Sequence, residues 1–357
     1  MKIAMLSPFE ESVPPFKYGG IELVIYNLAQ QLVKRGHDVT LLATGDSKTS
    51  AKLKAIFPES IRIHKDIQDI SVRSAIEFIG VKRAVNYLNR NNFDIVHNHI
   101  GWLMLLFENL LNFPIVTTLH GSLNVPYQQI IYDEYKNSNY ISLSLNQRKP
   151  MPHINFVANV YNGIEIEKFQ QNYNPQIEKF QQNYNPQNYF AFLGRMSPEK
   201  GPFQAIEIAK KAGVKLIMAA KVDVVDRKYF EEKIKPLIDG EQIKFIGEVN
   251  HIEKVQLLKN AKALLAPIQW EEPFGLVFVE AMICGTPVIA MKRGSVPELI
   301  IDNKTGFICK DIDEAVEKID LINSINREDC YEHVKNNFSA EKMAESYIEA
   351  YKKVLSS

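Results

Sequence analysis

Cysteine, net charge and long apolar runs are what this chain has least of. Its three cysteines, Cys284, Cys309 and Cys330, are odd in number and have no CxxC spacing. That argues against a disulfide framework or a structural zinc site and fits a reducing compartment. Lys+Arg and Asp+Glu both number 42, and neither the first 160 residues nor the stretch beyond residue 188 is a basic lobe. A mainly electrostatic binder of nucleic acid or anionic membrane is therefore not expected. The most apolar runs, Trp102–Phe107 and Gly275–Cys284, are far shorter than the ~20 residues a membrane helix needs. Pro8, Glu10 and Glu11 interrupt the N-terminus before a signal-peptide core can form. The expectation is a soluble, cytoplasmic protein with no transmembrane segment.

Several chemical signatures are also missing. There is no GxGxxG, no GxxxxGK[ST], no GxSxG elbow and no HExxH, so nicotinamide, flavin, P-loop, serine-hydrolase and zinc-protease chemistry lack support. The one Asp-x-Asp string, Asp311-Ile312-Asp313, opens an expected late helix, where N-capping explains it.

What is present is a regular alternation. The 357 residues suit two domains of ~150 residues each. Lys2–Leu6, Val39–Ala43, Asp94–His97 and Ile115–Leu119 read as strands. Between them, Ile21, Val24, Ile25, Leu28 and Leu32 mark one helix face, and Ser71–Asn89 and Trp102–Leu111 read as further helices. The alternation stops over residues 162–188 and restarts. Tyr189–Leu193, Val214–Ala219, Ile243–Ile246, Ala263–Ala266 and Pro287–Ala290 are the next expected strands. Pro202–Lys211, Arg227–Ile238, Ile252–Asn260 and Gly275–Cys284 are the expected helices. Two doubly wound parallel α/β domains joined by a hinge follow. Within the interruption, Ile166–Gln176 is repeated unchanged as Ile177–Gln187, which suits a solvated linker where added length costs little closure entropy. A final helix carries the apolar stripe Met343, Tyr347, Tyr351 and Val354, with Ser339 placed to cap it.

Four constellations could carry chemistry. The first is Glu271-Glu272-Pro273-Phe274-Gly275-Leu276-Val277-Phe278-Val279-Glu280, running on to Gly285-Thr286-Pro287. Pro273 is placed to open a helix and Gly285 to close it. Glu280 is the only charged residue on an otherwise apolar helix, and a buried carboxylate needs a partner. That partner is either a buried cation or backbone donor, or a pair of ligand hydroxyls. Glu272, just before the helix, either complements the helix dipole or faces a polar ligand there. The second is Gly194-Arg195-Met196-Ser197-Pro198-Glu199-Lys200-Gly201, a strand-to-helix loop whose Arg and Lys suit a diphosphate or form a solvated basic loop. The third, Tyr18-Gly19-Gly20-Ile21-Glu22, is the matching turn of the first domain, where Gly19 and Gly20 allow close ligand approach or simple flexibility. The fourth is histidine: His97, His99 and His120 fall at expected strand ends. His97 and His99 could chelate from one face, but no third ligand is evident. His120, followed by Gly121, suits a ligand contact.

In that order and spacing, Gly19-Gly20-Ile21-Glu22, Gly194-Arg195 with Lys200-Gly201, and Glu272-x7-Glu280 resemble family-4 retaining glycosyltransferases of the GT-B fold. Asn162-Gly163-Ile164 resembles the family's interdomain linker, and Gly294-Ser295-Val296-Pro297-Glu298 with Thr305-Gly306-Phe307 resembles its later signature. The resemblance spans essentially the whole chain. It implies an N-terminal Rossmann-like acceptor domain over 1–163, a linker over 164–188, a C-terminal nucleotide-sugar domain over 189–338, and a last helix, 339–357, crossing back to the first domain, the two domains facing across a cleft.

The resemblance also implies transfer of a hexosyl group from a nucleotide-diphosphate sugar, UDP- or GDP-linked, to a sugar or lipid-linked acceptor. The anomeric configuration is retained, and neither metal nor cofactor is needed. Arg195 and Lys200 would neutralise the departing diphosphate, and Glu280 would hold the ribose hydroxyls. Glu272 with the amides of Phe274, Gly275 and Leu276 would hold the donor sugar. Gly20, beside Gly19, would approach the phosphates or the acceptor, and His120 would contact the sugar near the reacting carbon. Ala219-Ala220-Lys221-Val222-Asp223 departs from the Gly-rich turn many members carry. A glycoside phosphorylase, a nucleotide-sugar epimerase and a non-catalytic two-lobed sugar binder are the alternatives.

Overall fold

The computed structural model describes every residue except 17, 18, 65, 66, 68, 170–185 and 357. Along the chain come β1 (Lys2–Leu6), α1 (Gly20–Lys34), β2 (Asp38–Thr44), β3 (Lys52–Phe57), α2 (Ile70–Leu88) and β4 (Ile95–Asn98). Then follow α3 (Trp102–Leu105), β5 (Ile115–Thr118), α4 (Pro126–Glu134), β6 (Asn139–Ser142) and β7 (Phe156–Asn159). The second half holds β8 (Phe190–Arg195), α5 (Pro202–Lys211), β9 (Leu216–Lys221), α6 (Arg227–Tyr229), β10 (Ile243–Gly247), α7 (His251–Asn260) and β11 (Leu264–Ala266). It ends with α8 (Leu276–Ile283), β12 (Val288–Met291), α9 (Val296–Leu299), β13 (Gly306–Cys309), α10 (Ile312–Leu321), α11 (Arg327–Asn337) and α12 (Ala340–Leu355).

These elements form two compact units, Met1–Gly163 with Ala340–Ser357, and Ile164–Ser339. The first unit is built on a seven-stranded parallel sheet in the order β3-β2-β1-β4-β5-β6-β7. The second has a six-stranded parallel sheet in the order β10-β9-β8-β11-β12-β13. Central strands covered on both faces read as unbroken apolar runs: Ile3–Leu6 are 0% exposed. In each sheet the order reverses beside its first strand, between β1 and β4 and between β8 and β11. The crevice outside the strands' carboxyl ends at such a reversal is where open α/β sheets bind ligands.

Helix ends follow local chemistry. Asp69 caps α2 by accepting from the Ser71 amide at 2.7 Å, and Asn250 and Glu253 form a reciprocal capping box on α7. Asp311 caps α10 through the Glu314 amide at 2.9 Å. α12 buries Met343, Tyr347, Tyr351 and Val354 within the first unit, packed on α1 and β7. The Met343 sulfur accepts from the Gly163 amide at 3.0 Å.

Some expectations need correcting. The helix expected over Trp102–Leu111 ends at Leu105, because Phe107 leaves helical geometry at φ −116°, ψ 0° and a separate 3₁₀ turn follows over Glu108–Leu110. Arg227–Ile238 is not one α-helix. It is a short α turn, a π segment over Phe230–Ile234 and a 3₁₀ turn over Lys235–Leu237, as expected where Pro236 removes a ladder donor. Pro273 lies outside α8, which starts only after Gly275 in the left-handed region. Gly285 does close that helix, with its N–H on the Met282 carbonyl and the Thr286 N–H on that of Ala281, a Schellman pattern. The start of the linker is packed, not solvated: Ile166 and Phe169 are buried in a 3₁₀ turn, and the Phe169 ring meets His251 at 5.0 Å. Most of the second repeat copy, Ile177–Gln187, lies outside the described residues. β3, β6, β7, β13, α4, α9 and α11 complete the fold beyond the expected elements.

The burial of α12 yields a test. Met343→Ala removes a buried thioether and the acceptor of the Gly163 amide, and should destabilise the first unit by about 2–5 kcal/mol. The exposed Glu349→Ala should stay within about 0.5 kcal/mol. Urea denaturation of the two variants measures the difference. Equal midpoints would contradict the packing described.

Candidate active site

The second unit gathers the charged residues at its strand-order reversal. Arg195 ends β8 and pairs in register with Lys221 at the end of β9. Its guanidinium is ion-paired with Glu199, and its Nε lies 3.2 Å from Asp226 Oδ2. Lys221 Nζ lies 2.8 Å from Asp223 Oδ1. Burial raises the Asp226 carboxyl above its ordinary value, opposed by the Arg195 charge. Lys200, at the end of the same loop, forms an ion pair with Glu272 and stands 4.8 Å over the Trp270 ring. The Trp270 indole N–H donates to the same carboxylate at 2.9 Å. The structure thus brings Lys200 and Glu272 into contact, and two residues, Met196 and Ser197, separate Arg195 from the 3₁₀ turn that carries Glu199 and Lys200.

Backbone contacts hold the two loops in place. The Gln269 amide donates to the Glu199 carbonyl at 2.8 Å. Gly201, at φ +73°, lies so close to Pro267 that a Cβ would sit 2.0 Å from its carbonyl oxygen. A second brace comes from behind. Gly294, at φ +54°, leaves no room for a Cβ, which would meet the Glu272 backbone at 2.3 Å. Its amide donates to Glu271 Oε2 at 2.8 Å, and the Ser295 amide donates to the Glu272 carbonyl at 2.9 Å. The Ser295 hydroxyl donates to the Phe274 carbonyl. Phe274 is buried against Phe338, ring centroids 6.0 Å apart. Phe274, Gly275 and Leu276 thereby lead into α8, whose first N–H groups have no intrahelical acceptor.

Glu280, one turn into α8, is 6% exposed and ion-paired with Lys254 of α7. Lys254 also lies 5.7 Å over the Phe169 ring. The protein partner that burial demands is therefore a lysine. Trp270, Asp226 and Lys254, which contact the candidates Glu272, Arg195 and Glu280, are residues that the sequence reading missed. Only Trp270 had a local signal, an indole donor two residues before a carboxylate.

The remaining candidates lie on the first unit. Gly19 is the N-cap of α1 and Gly20 its first residue. Glu22 is buried, and desolvation with repulsion from Glu11 and Glu10 lifts its carboxyl to about 7. His120 follows the end of β5. Its Nε2 lies 2.9 Å from His99 Nδ1. His97 contacts Thr118 Oγ1 through Nε2 at 2.8 Å and Tyr351 Oη through Nδ1 at 2.7 Å. Burial holds all three imidazoles below their ordinary value, His120 at about 4. Among the described residues no group of three or more His, Cys, Asp or Glu could hold a metal ion, and no helix is long and apolar enough to cross a membrane. All three cysteines are buried thiols.

Comparison with known proteins gives this geometry a context. Residues 174–353 match the family model described as Glycosyl transferases group 1, and residues 18–152 match Glycosyltransferase Family 4. Spore coat protein SA of Bacillus subtilis is 22% identical across 99% of this chain and 100% of its own. The sucrose-phosphate synthase of Thermosynechococcus elongatus superposes with a TM-score of 0.78 at 18% identity, covering 99% of each chain. HepE of Anabaena, solved in complex with UDP-glucose, superposes at 0.72 with 18% identity and 99% coverage of each. These likenesses show the fold, two Rossmann-like parallel-sheet domains of the GT-B type.

The buried Glu22 gives a pH test with a definite sign. Its carboxyl is raised in the folded chain, so the folded state holds more protons than the unfolded one between about pH 4.5 and 7. Stability therefore falls as pH rises through that window, by about 3 kcal/mol for this group. Glu77, also lifted to about 7 by burial, adds to the same slope. Glu22→Gln should flatten the fall and leave the Glu77 part. Stability curves at pH 5 and 8 measure it, and an unchanged slope would refute the assignment.

Proposed function

The chain belongs to the Glycosyl transferases group 1 family, and from that premise we propose that it transfers a hexosyl group from a nucleotide-diphosphate sugar to an acceptor hydroxyl with retention at the anomeric carbon. The observation that carries the reading is the coupling of Lys200 to Glu272 across the β8–β11 reversal, with Arg195 ending β8. A diphosphate placed there would exchange with Glu199 and Glu272 for the two cations, since Arg offers a planar fork and Lys a point charge. Glu272, released from Lys200, would accept from hydroxyls of the donor sugar, with the amides of Phe274, Gly275 and Leu276 beside it. Glu280 would accept from the ribose diol, which requires Lys254 to share it. Gly20 would approach the phosphates and His120 the sugar. Buried neutral thiols fit a cytoplasmic setting.

The reaction asks for leaving-group stabilisation and positioning. The bond from the anomeric carbon to the diphosphate oxygen breaks, and its electrons go to the diphosphate, where Arg195 and Lys200 offset the charge. The acceptor oxygen attacks from the same face, and its proton passes to the departing phosphate oxygen. No enzyme nucleophile and no metal enters this scheme. UDP-glucose is the first donor to try, because a structural neighbour was solved with it.

The test is nucleotide release from UDP-glucose, UDP-N-acetylglucosamine, UDP-galactose, GDP-mannose and ADP-glucose, with and without simple sugar acceptors. One nucleotide should be released with acceptor stimulation. Arg195→Ala should lower turnover about 10²–10³-fold, and Glu280→Ala should chiefly weaken donor binding. Silence across the panel with no donor binding by calorimetry would sink the reading. A sugar altered without acceptor would make the protein an epimerase, and dependence on inorganic phosphate a phosphorylase.

A further inference from the structure

Three histidines converge at the carboxyl ends of β4 and β5, and their hydrogen bonds determine where their protons sit. A neutral imidazole has one N–H and one bare nitrogen, so a bond at one nitrogen fixes what the other can offer. His99 Nδ1 and His120 Nε2, 2.9 Å apart, must be one donor and one acceptor. They cannot both be imidazolium, because two N–H groups would then face each other. His99 is 2% exposed, and among the described residues its Nε2 has no hydrogen-bond partner. An orphaned buried N–H is rarer than an under-satisfied acceptor. The His99 proton therefore belongs on Nδ1, where His120 uses it.

We propose that His99 is a positioning residue that holds His120 as the neutral Nδ1–H tautomer, so that His120 offers the donor sugar a hydrogen-bond donor and acts as neither acid nor base. The functional half rests on the donor-sugar reading above, whereas the tautomer rests on the hydrogen bonds alone. The His97 ring lies against His99 with centroids 3.8 Å apart and planes tilted by 42°, and is itself held at both nitrogens. Its Nδ1 is hydrogen-bonded to Tyr351 Oη and its Nε2 to Thr118 Oγ1. Thr118 Oγ1 in turn lies 3.1 Å from Tyr347 Oη. α12 thus sets the seat of His99 from sixteen residues near the end of the chain. Among the described residues the titratable groups facing these rings are His97 from β4, His99 just after it, His120 after β5, and Tyr347 and Tyr351 from α12. Gln147, which donates to the Leu119 and Gly121 carbonyls at 2.7 Å, is neutral. Among the described residues no carboxylate acts on the three imidazoles; burial lowers the proton affinity of all three, with His120 adding to it at His97, and His97 and His120 at His99.

The experiment is a long-range ¹H–¹⁵N spectrum of the whole protein labelled at histidine, recorded from pH 5 to 8, with single His→Gln variants for assignment. His120 should show a protonated Nδ1 and a bare Nε2 throughout. An Nε2–H form, an averaged pair or an imidazolium in that range would overturn the proposal. His99→Phe keeps a buried ring but removes the donor. His120 should then populate both tautomers and begin to titrate, and kcat should fall about tenfold with a new acid limb. A His99→Phe enzyme with an unchanged spectrum and unchanged pH profile would overturn it too. His99→Gln, whose amide can still donate to Nε2, should restore the Nδ1–H signature, which separates tautomer control from mere packing. If His120 is Nδ1–H but His120→Ala leaves nucleotide release unchanged, its role at the sugar is overturned. The release panel then stands or falls separately on Arg195.

Discussion

The second unit depends on a backbone lock between two loops at its strand-order reversal. The Glu199 carbonyl takes the Gln269 amide, and Gly201 lies against Pro267 with no space for a side chain. Two segments 70 residues apart in the chain are thereby held at a fixed separation. Everything chemical at that end follows from it. Lys200 and Glu272 are the side chains that flank the lock, and their ion pair exists because the backbones beneath them cannot drift apart. Gly294 and Ser295 brace the same segment from the opposite side, so Glu272 is fixed through its main chain before its carboxylate meets anything.

The cations of this end are each paired with a carboxylate: Arg195 with Glu199 and Asp226, Lys200 with Glu272, and Lys221 with Asp223. A site of this kind is close to neutral in sum and strongly polar in detail. Such an arrangement keeps like charges from repelling one another in a partly buried crevice. On the proposed function, recognition would be an exchange of partners, in which an incoming anion has to match the geometry of the carboxylates it displaces. A ligand with charge but the wrong shape gains little, because breaking a half-buried pair without replacing it leaves a charge unsatisfied.

The alternation of apolar runs with helix-period segments made both sheets legible, since central parallel strands are buried on both faces and show as unbroken apolar runs. The edges were less legible. β3 carries Lys52 and Lys54 around Leu53, because an edge strand pairs on one side only and tolerates charge. β7 is half-buried throughout and gave little contrast. In the site, residues marked by spacing, such as Glu272, Glu280, Arg195 and Lys200, could be named from sequence, but their partners could not. Lys254 lies 26 residues before Glu280, and nothing local marks it. His99 and His120 could each be seen at a strand end, yet their contact arises only because β4 and β5 are neighbours in register. The packed linker start was misread because Ile166 and Phe169 stand among polar residues that gave the segment a solvated look.

The return of α12 to the first unit has a consequence for how the chain is made. Residues 164–339 form one uninterrupted stretch, so every segment of the second unit has been synthesised before α12 emerges. The first unit is synthesised earlier but stays unfinished. The surface covered by Met343, Tyr347, Tyr351 and Val354, and the partners of His97 and Thr118, are supplied only when the last helix emerges. The part made first is thus completed last. Over the interval needed to translate the second unit, the nascent first sheet carries an exposed apolar face that chaperones would meet.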